Sequence, residues 1–567
     1  MRLFARLVAS FAAAFLLTAP PVHAASPKAR PVAARALTAG AVASPDRYGA
    51  LAAQEILKAG GNAIDAAVAT GFALAVTYPE AGNLGGGGFM TVYMNGKPYF
   101  LDYRETAPAA ATADMYLGPD GQVIEGLSLF GNLAAGTPGT VRGLAMAHKR
   151  FGRLPWARVL APAIRYARDG FLVNDQFAGM LSREVPPEFQ KTNFRAYFPP
   201  TKAGTMFKQP ELAATLQRIA QQGDKGFYEG KTAELIVAQM ARGERKGLIT
   251  KADLAGYKAV WRAPVTAKWR GYDVITAPPP SSGGIALMQM LLMKQDAAPL
   301  FKGQALNGEK YVHLVSEIEK RVFADRAEYL GDPDFVKVPV SNLIDPAYVA
   351  RRAKEIDPDK PSATKAVTPG LGKLETTHYS IVDKWGNAVS NTYTINGWFG
   401  SGVVVQGAGF LLNDEMDDFS AKPGAPNMFG VVGGSANAIG PLKRPLSSMT
   451  PTILTKDGRV AMVIGTPGGS TIFTSVFQVL ANVYDFDLSL QDAQKQPRFH
   501  HQLLPENTII VEKFAPPAAG VKSALEGKGY KFVEHSRIGD IAAIQVRGRT
   551  PVPEPDPRAR GVGLVVK

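Results

Sequence analysis

A threonine that begins a strand-like segment is the first candidate for chemistry in this 567-residue chain. Thr376 precedes residues 377–382, which alternate as a strand does, and a turn over residues 383–387 leads to a second such run over residues 388–395. If the peptide bond before Thr376 is cut, the new α-amine, with a reference pKa of roughly 7.7–8.0, lies beside the hydroxyl and can act as its general base. Nucleophile and base then come from one residue, so no separate His or Asp is needed. The plainer alternative is that paired threonines at a strand start reflect β-propensity.

A nucleophile that transfers acyl groups also needs hydrogen-bond donors aimed at the developing oxyanion. Gly468 and Gly469 lie between a predicted strand and a predicted helix that begins at Ser470. Backbone N–H groups at such a turn can point into a site, and a helix N-terminus favours anions. The alternative is that a Gly-Gly pair is only a turn.

The surrounding segments closely resemble the γ-glutamyltranspeptidases, which are self-cleaving N-terminal-nucleophile hydrolases. Downstream, the resemblance to the family's small subunit runs from Thr376 through Met416-Asp417-Asp418-Phe419-Ser420, Pro445-Leu446-Ser447-Ser448-Met449 and Thr466-Pro467-Gly468-Gly469-Ser470. Upstream, segments that are similar to the large subunit follow in the family's order over residues 61–67, 81–89, 102–108, 278–284 and 324–326. The resemblance covers essentially everything after the first forty residues.

This resemblance implies a fold and a maturation step. The fold would be α/β, a four-layer αββα sandwich of the N-terminal-nucleophile hydrolase type, formed jointly by two autoprocessed subunits. Cleavage would fall between Glu375 and Thr376, giving a large subunit of residues 25–375 and a small subunit of residues 376–567. The two subunits from one precursor would form a heterodimer.

The resemblance also assigns roles to individual residues. Thr376 would be the nucleophile, Thr394 would orient it, and the N–H groups of Gly468 and Gly469 would form the oxyanion hole. The substrate's amino acid end carries an ammonium and a carboxylate. The matching residues for the ammonium are Asn396, Glu415 and Asp418, and those for the carboxylate are Arg104, Ser447 and Ser448.

Each of these residues also has a simpler interpretation. Arginine suits a carboxylate because its planar fork can bind two oxygens at once, but Arg104 could equally be a surface arginine. Asp417 and Asp418 could form a solvated acidic turn, and Thr394 could be a strand threonine in a cross-strand pair. Two positions depart from many relatives: Phe429 stands where a tyrosine is common, and Glu415 where some members carry glutamine, a change that would strengthen ammonium binding.

The expected function is that of a γ-glutamyltransferase that cleaves glutathione or similar γ-glutamyl compounds and passes the acyl group to water, an amino acid or a peptide. One alternative on the same fold is an acylase acting on the glutaryl side chains of β-lactams. An alternative from another class is a basic envelope binding protein that never matures.

No cofactor or metal is expected. The chain has no cysteine, which excludes disulfides, thiolate catalysis and Cys-ligated metals. His500 and His501 lack a neighbouring acidic ligand cluster, and residues 85–88 lack the spacing of a dinucleotide fingerprint. The formal net charge of +14 comes from scattered basic residues without a nucleic-acid motif, so a solvated surface is the interpretation we favour.

The N-terminus predicts export. Arg2 and Arg6 precede a short apolar stretch over residues 7–18, and Val22-His23-Ala24 forms a small-x-small cleavage site, which makes residues 1–24 a predicted signal peptide. The apolar stretch is shorter than the ~18–20 residues that span a membrane, although an N-terminal anchor is the alternative. The mature protein is expected to be periplasmic or secreted, with no membrane span.

The elements that must position these residues follow from periodicity. Ser44-Pro45 predicts one helix start, with Gly60-Gly61 as the stop. Further helices are predicted over residues 65–78, 162–169, 211–222, 232–243, 311–329 and 470–484, and a second hairpin over residues 451–455 and 459–465. Pattern alone indicates a layered α/β fold.

Overall fold

The computed structural model describes residues 36–243, 245–363, 376–422, 424–425, 427–428, 430–431 and 433–567. The predicted signal peptide, Glu375 and Phe429 therefore lie outside the described residues. Within the described part of the chain, no helix is long and apolar enough to cross a membrane.

The strands of the described residues are, in chain order, β1 (Gly40–Ser44), β2 (Gly87–Met94), β3 (Lys97–Asp102), β4 (Phe171–Leu172), β5 (Met206–Phe207), β6 (Val260–Arg262), β7 (Val265–Trp269), β8 (Tyr272–Thr276), β9 (Thr377–Val382), β10 (Ala388–Thr394), β11 (Thr452–Lys456), β12 (Arg459–Ile464), β13 (Phe499–His500), β14 (Thr508–Glu512), β15 (Lys531–His535), β16 (Ala542–Arg547), β17 (Thr550–Pro555) and β18 (Val562–Val566).

The α-helices are α1 (Arg47–Lys58), α2 (Ala63–Thr77), α3 (Thr140–Phe151), α4 (Trp156–Asp169), α5 (Asp175–Gly179), α6 (Phe194–Tyr197), α7 (Pro210–Gln222), α8 (Lys225–Tyr228), α9 (Gly230–Met240), α10 (Lys251–Gly256), α11 (Gly283–Asp296), α12 (Ala298–Phe301), α13 (Glu309–Tyr329), α14 (Val340–Leu343), α15 (Pro346–Lys354), α16 (Ile472–Asp485), α17 (Leu490–Lys495) and α18 (Ala519–Gly527). Short 3-10 turns over Glu415–Asp418 and Gly469–Thr471 belong to the site described below.

Two antiparallel sheets form the centre of the molecule. Their strand orders are β18-β1-β9-β10-β2-β3-β6 and β17-β16-β12-β11-β8-β7. Small and branched residues of both sheets, among them Ala41, Ala388 and Val463, form one buried core between them. Helices α1, α2 and α4 cover the outer face of the first sheet, and α11, α13 and α16 cover that of the second. The predicted four-layer αββα sandwich is confirmed.

The chain on either side of Thr376 contributes to both sheets. β9 and β10 lie between β1 and β2 in the first sheet, and β11 pairs with β8 in the second. Removing either part would leave backbone hydrogen bonds of both sheets unpaired, which is costly in a buried sheet. Two fragments separated at this point would therefore stay together.

Helix α2 explains much of the first core. All fifteen of its residues are buried. A capping box fixes its start: the Asn62 side chain accepts the N–H groups of Ile64 and Asp65 at 3.0 Å each, and Asp65 Oδ2 accepts the N–H of Asn62 at 2.9 Å. The helix predicted over residues 65–78 is thus present as Ala63–Thr77, and Asn62 is its N-cap.

Two predicted helix starts are wrong. Ser44 does not cap α1, because it remains in β1 opposite Val562, and Asp46 is the cap, with Oδ1 accepting the N–H of Tyr48 at 2.8 Å. Pro162 does not begin a helix but lies inside α4. A proline there removes one helical hydrogen bond, and buried residues on both sides of it, including Leu160 and Ala163, hold the helix against the core.

Candidate active site

Thr376 immediately precedes β9 and lies in a cleft at the end of the first sheet. Its side chain is almost fully buried, at 4% exposure. Every residue predicted for the site lines this cleft except Gly468, which adjoins the lining residue Gly469. The full lining is Arg104, Arg326, Thr376, Thr394, Asn396, Glu415, Asp418, Val431, Leu446, Ser447, Ser448, Met449, Gly469, Ser470 and Ile472.

The second threonine is held at the end of the neighbouring strand. Thr394 closes β10, and its Oγ1 accepts the backbone N–H of Asn396 at 2.7 Å. Asn396 has a left-handed backbone, φ +70°, which asparagine tolerates better than most residues. Its Nδ2 donates to the carbonyl of Asp414 at 3.0 Å.

The glycine-rich segment upstream makes this strand end possible. A Cβ on Gly86 would lie 2.0 Å from the carbonyl oxygen of Thr394, so only glycine permits this approach. The same carbonyl accepts Asn83 Nδ2 at 2.8 Å. These contacts join the region before Thr376 to the strand after it.

The Gly468-Gly469 turn has the strained backbone that glycine allows. Its φ angles are +137° and +51°. Thr471 Oγ1 donates to the carbonyl of Gly468 at 2.8 Å, and the 3-10 turn Gly469–Thr471 leads directly into α16. At the predicted helix start, Ser470 therefore lies in a 3-10 turn, and the α-helix begins at Ile472.

Arg104 is the centre of a buried ion cluster and not a surface arginine. It donates to Glu415 and to Asp418 through separate nitrogens, and its Nε donates to the Pro445 carbonyl at 3.2 Å. Glu105 Oε2 lies 3.5 Å from Nη1 of the same guanidinium. Burial raises the pKa of Glu105, Glu415 and Asp418, and the Arg104 charge opposes the rise.

The acidic turn is likewise buried and not solvated. Asp418 points at Arg104, while Asp417 accepts the Ser128 hydroxyl at 2.6 Å and the N–H of Met428 at 2.8 Å. Burial raises the pKa of Asp417 to about 6. The two neighbouring aspartates therefore serve different contacts.

The serine pair lies on a segment bonded to the start of α11. The Ser447 N–H donates to the Pro280 carbonyl at 2.9 Å, and the Ser447 carbonyl accepts both the N–H and the Oγ of Ser282 at 2.7 Å. Ser448 Oγ accepts Arg326 Nη2 at 3.4 Å. These hydrogen bonds to residues 278–284 thus hold the two predicted serines at the cleft.

Three charged or polar residues at the cleft have no role predicted from the sequence: Arg326 and Ser470, which line it, and Glu105, which contacts the lining residue Arg104. Glu105 and Arg326 lie inside segments 102–108 and 324–326, which were recognised, so their charge was a usable signal. Ser470 Oγ donates to Gln502 Oε1 at 2.8 Å.

Across the described residues, no group of three or more His, Cys, Asp or Glu side chains could hold a metal ion.

Comparison with known proteins decides the family. The family model described as gamma-glutamyltranspeptidase matches residues 49–566. The chain belongs to the γ-glutamyltranspeptidase family.

Individual relatives and solved structures are similar to more than half of this chain. The glutathione hydrolase proenzyme of Pseudomonas aeruginosa is 61% identical over 535 residues, covering 94% of this chain and 96% of that protein. The solved γ-glutamyltranspeptidase of Pseudomonas nitroreducens complexed with L-DON is 60% identical, with a TM-score of 0.57, over 58% of this chain and 97% of that one. A cephalosporin acylase from Bacillus halodurans is 28% identical, with a TM-score of 0.78, over 95% of this chain and 98% of that one.

Proposed function

We propose that the protein is a γ-glutamyltransferase and glutathione hydrolase that cleaves itself before Thr376 and works through a Thr376 acyl-enzyme. The observation that carries this proposal is one cleft that joins Thr376, the Gly468-Gly469 turn and the Arg104–Asp418 ion pair in a member of this family. A nucleophile, an oxyanion site and paired opposite charges are what hydrolysis of a γ-glutamyl amide requires.

Maturation uses the threonine hydroxyl. Thr376 Oγ1 attacks the Glu375 carbonyl carbon, the bond to the Thr376 nitrogen breaks, and an ester replaces the amide. Water hydrolyses the ester, which leaves a carboxylate on Glu375 and a free α-amine on Thr376. The products are the large subunit, residues 25–375, and the small subunit, residues 376–567, held together as a heterodimer by the shared sheets.

Turnover repeats the same attack on a substrate. The α-amine accepts the hydroxyl proton while Oγ1 attacks the γ-carbonyl carbon, and the N–H groups of Gly468 and Gly469 stabilise the oxyanion. Thr394 orients the nucleophile. The leaving amine departs with the proton, and water or the amine of an amino acid or peptide then takes the γ-glutamyl group from Thr376.

The ion cluster selects the substrate's amino acid end. Asn396, Glu415 and Asp418 receive the ammonium, and Arg104, Ser447 and Ser448 receive the carboxylate. Because Arg104 contacts Glu415 and Asp418 directly, a bound zwitterion exchanges one set of ion pairs for another inside the same buried cluster. This exchange keeps every charge of that cluster partnered and so avoids the cost of an uncompensated buried charge.

Incubation with glutathione, with and without an acceptor dipeptide, tests this function. We expect glutamate and cysteinylglycine from glutathione alone, and an additional γ-glutamyl dipeptide when the acceptor is present. Glutathione that stays intact in the presence of processed protein would exclude the proposal.

The structural likeness to a cephalosporin acylase makes a glutaryl acylase the second candidate. A glutaryl group carries no amine, so it would leave Glu415 and Asp418 without a substrate cation. Faster release of a glutaryl group than of a γ-glutamyl group would favour the acylase. A single band on a denaturing gel would instead favour an envelope binding protein that does not mature.

We also propose that residues 1–24 direct export, so that the enzyme acts in the periplasm or outside the cell. Export would place the enzyme where extracellular γ-glutamyl compounds are available. Fractionation of cells that express the full chain checks this location.

A further inference from the structure

A second arginine, Arg326, lies in the cleft and has no acidic partner among the described residues. Arg326, near the end of α13, is 6% exposed and lines the cleft beside Ser448. Its Nε donates to Ser282 Oγ at 3.0 Å and its Nη2 to Ser448 Oγ at 3.4 Å. Both of these acceptors are neutral hydroxyls.

The contrast with Arg104 is one of charge. Three carboxylates, those of Glu105, Glu415 and Asp418, lie within 4.0 Å of the Arg104 guanidinium. Among the described residues, no carboxylate lies within that distance of Arg326. Burial lowers the pKa of Arg326 to about 10, and only the Asp418 charge opposes this change. A buried charge without a partner is costly, so a ligand that supplies an opposite charge here would remove that cost.

An incoming carboxylate therefore meets two different environments. Near Arg104 it competes with three acidic side chains that already contact the guanidinium. Near Arg326 it meets a guanidinium and the Ser448 hydroxyl, the same hydroxyl that the proposed function assigns to the carboxylate. A planar guanidinium can bind both carboxylate oxygens.

We propose that Arg326 is a specificity-determining residue that pairs with the substrate's α-carboxylate beside Ser448, as the second cation of the carboxylate site together with Arg104. This inference rests on the proposed γ-glutamyl function. Arg326 would supply a positive charge that no carboxylate of the described residues contacts, whereas the charge of Arg104 is already paired.

Two substrates separate this role from a structural one. γ-Glutamyl-p-nitroanilide carries the carboxylate, and 4-aminobutyryl-p-nitroanilide keeps the ammonium but lacks the carboxylate. We expect Arg326→Gln to lower kcat/KM for the γ-glutamyl compound by about 100-fold, mainly through KM, and to change that for the aminobutyryl compound by less than about threefold. Equal losses on both compounds, or no loss on either, would overturn the proposal.

A control and a second variant keep the test decisive. Arg321→Gln removes a buried arginine of the same helix whose carboxylate partners, Glu317 and Glu355, lie outside the cleft, and it should not alter the ratio between the two substrates. If Arg326→Gln fails to mature, Arg326→Lys provides the test. Its kcat/KM should fall for the γ-glutamyl compound alone, because an ammonium retains the charge but cannot bind both carboxylate oxygens as a guanidinium does. A uniform loss with Arg326→Lys would overturn the inference, whereas a wild-type protein inactive on γ-glutamyl-p-nitroanilide would refute the proposed function itself.

Discussion

The Oγ1 atom of Thr394 accepts the backbone N–H of Asn396 at 2.7 Å, so a residue two positions along the chain fixes the orientation of this hydroxyl. This contact uses one of the two lone pairs of the hydroxyl, which can still donate its proton to a neighbour in the cleft that Thr376 also lines. This geometry fits a residue that orients the nucleophile.

We expect Thr394→Val to lower kcat for γ-glutamyl-p-nitroanilide by 10-fold or more, with a smaller change in KM, because valine has similar volume but neither donor nor acceptor. Thr394→Ser should keep most of the activity. Steady-state kinetics on matured protein measures both variants. Full activity of the valine variant would show that Thr394 is only a strand residue.

Thr376→Ala should give an uncut, folded precursor without γ-glutamyl activity, because the variant has no hydroxyl to attack Glu375. Thr376→Ser should cut and work more slowly, since serine lacks the β-branch that restricts χ1. A denaturing gel followed over hours gives the processing rate. Cleavage of the alanine variant at the same bond would rule out autocatalysis.

Asp418→Ala should depress kcat/KM for glutathione severely while maturation continues. Removing one partner of a desolvated charge pair typically costs about 2–5 kcal/mol, and self-cleavage involves no bound ammonium. For a glutaryl amide, which lacks the α-amine, the kcat/KM of the variant should fall much less. Equal losses on the two substrates would mean that Asp418 supports the fold or the nucleophile.

The pH dependence of stability should change when Asp540 is neutralised. Burial raises the pKa of Asp540 to about 6 from an ordinary 3.8, against the opposing charge of Arg537. The folded state therefore binds this proton more tightly than the unfolded state, and the resulting stability is complete below pH 3.8 and is lost as pH rises through 6, by up to about 3 kcal/mol.

Because asparagine does not titrate, the Tm of Asp540→Asn relative to wild type should rise between pH 4 and pH 7. Thermal unfolding in the uncut Thr376→Ala background keeps one chain in the measurement. Asp457→Asn, in an exposed turn, serves as the matched control for the substitution itself. A pH-independent difference for Asp540→Asn would contradict the buried titration.

Periodicity predicted the elements that position the proposed nucleophile, Thr376. The strands at residues 377–382 and 388–394 and the hairpin of β11 and β12 were all present near their predicted bounds. These elements depend on local alternation. The wrong starts at Ser44 and Pro162 came where pairing with a distant strand or packing against a distant helix outweighed the local signal.

The site itself could be predicted only through family resemblance. Arg104 meets Glu415 and Asp418 across more than 300 residues of chain, and no local pattern encodes such a contact. Taken locally, the same residues suggested a surface arginine and a solvated turn. The charge of Arg326 within segment 324–326 was a usable signal, but its lack of an acidic neighbour among the described residues is seen only in the folded cleft.

The central claim, that Thr376 becomes a new N-terminus and the nucleophile, is tested most directly by N-terminal sequencing of the smaller fragment of the purified protein. Cleavage after Glu375 gives a fragment of 192 residues, 376–567, that begins Thr-Thr-His-Tyr-Ser. A fragment with that start would support the account. A different first residue, or a single uncut chain in an active preparation, would contradict it.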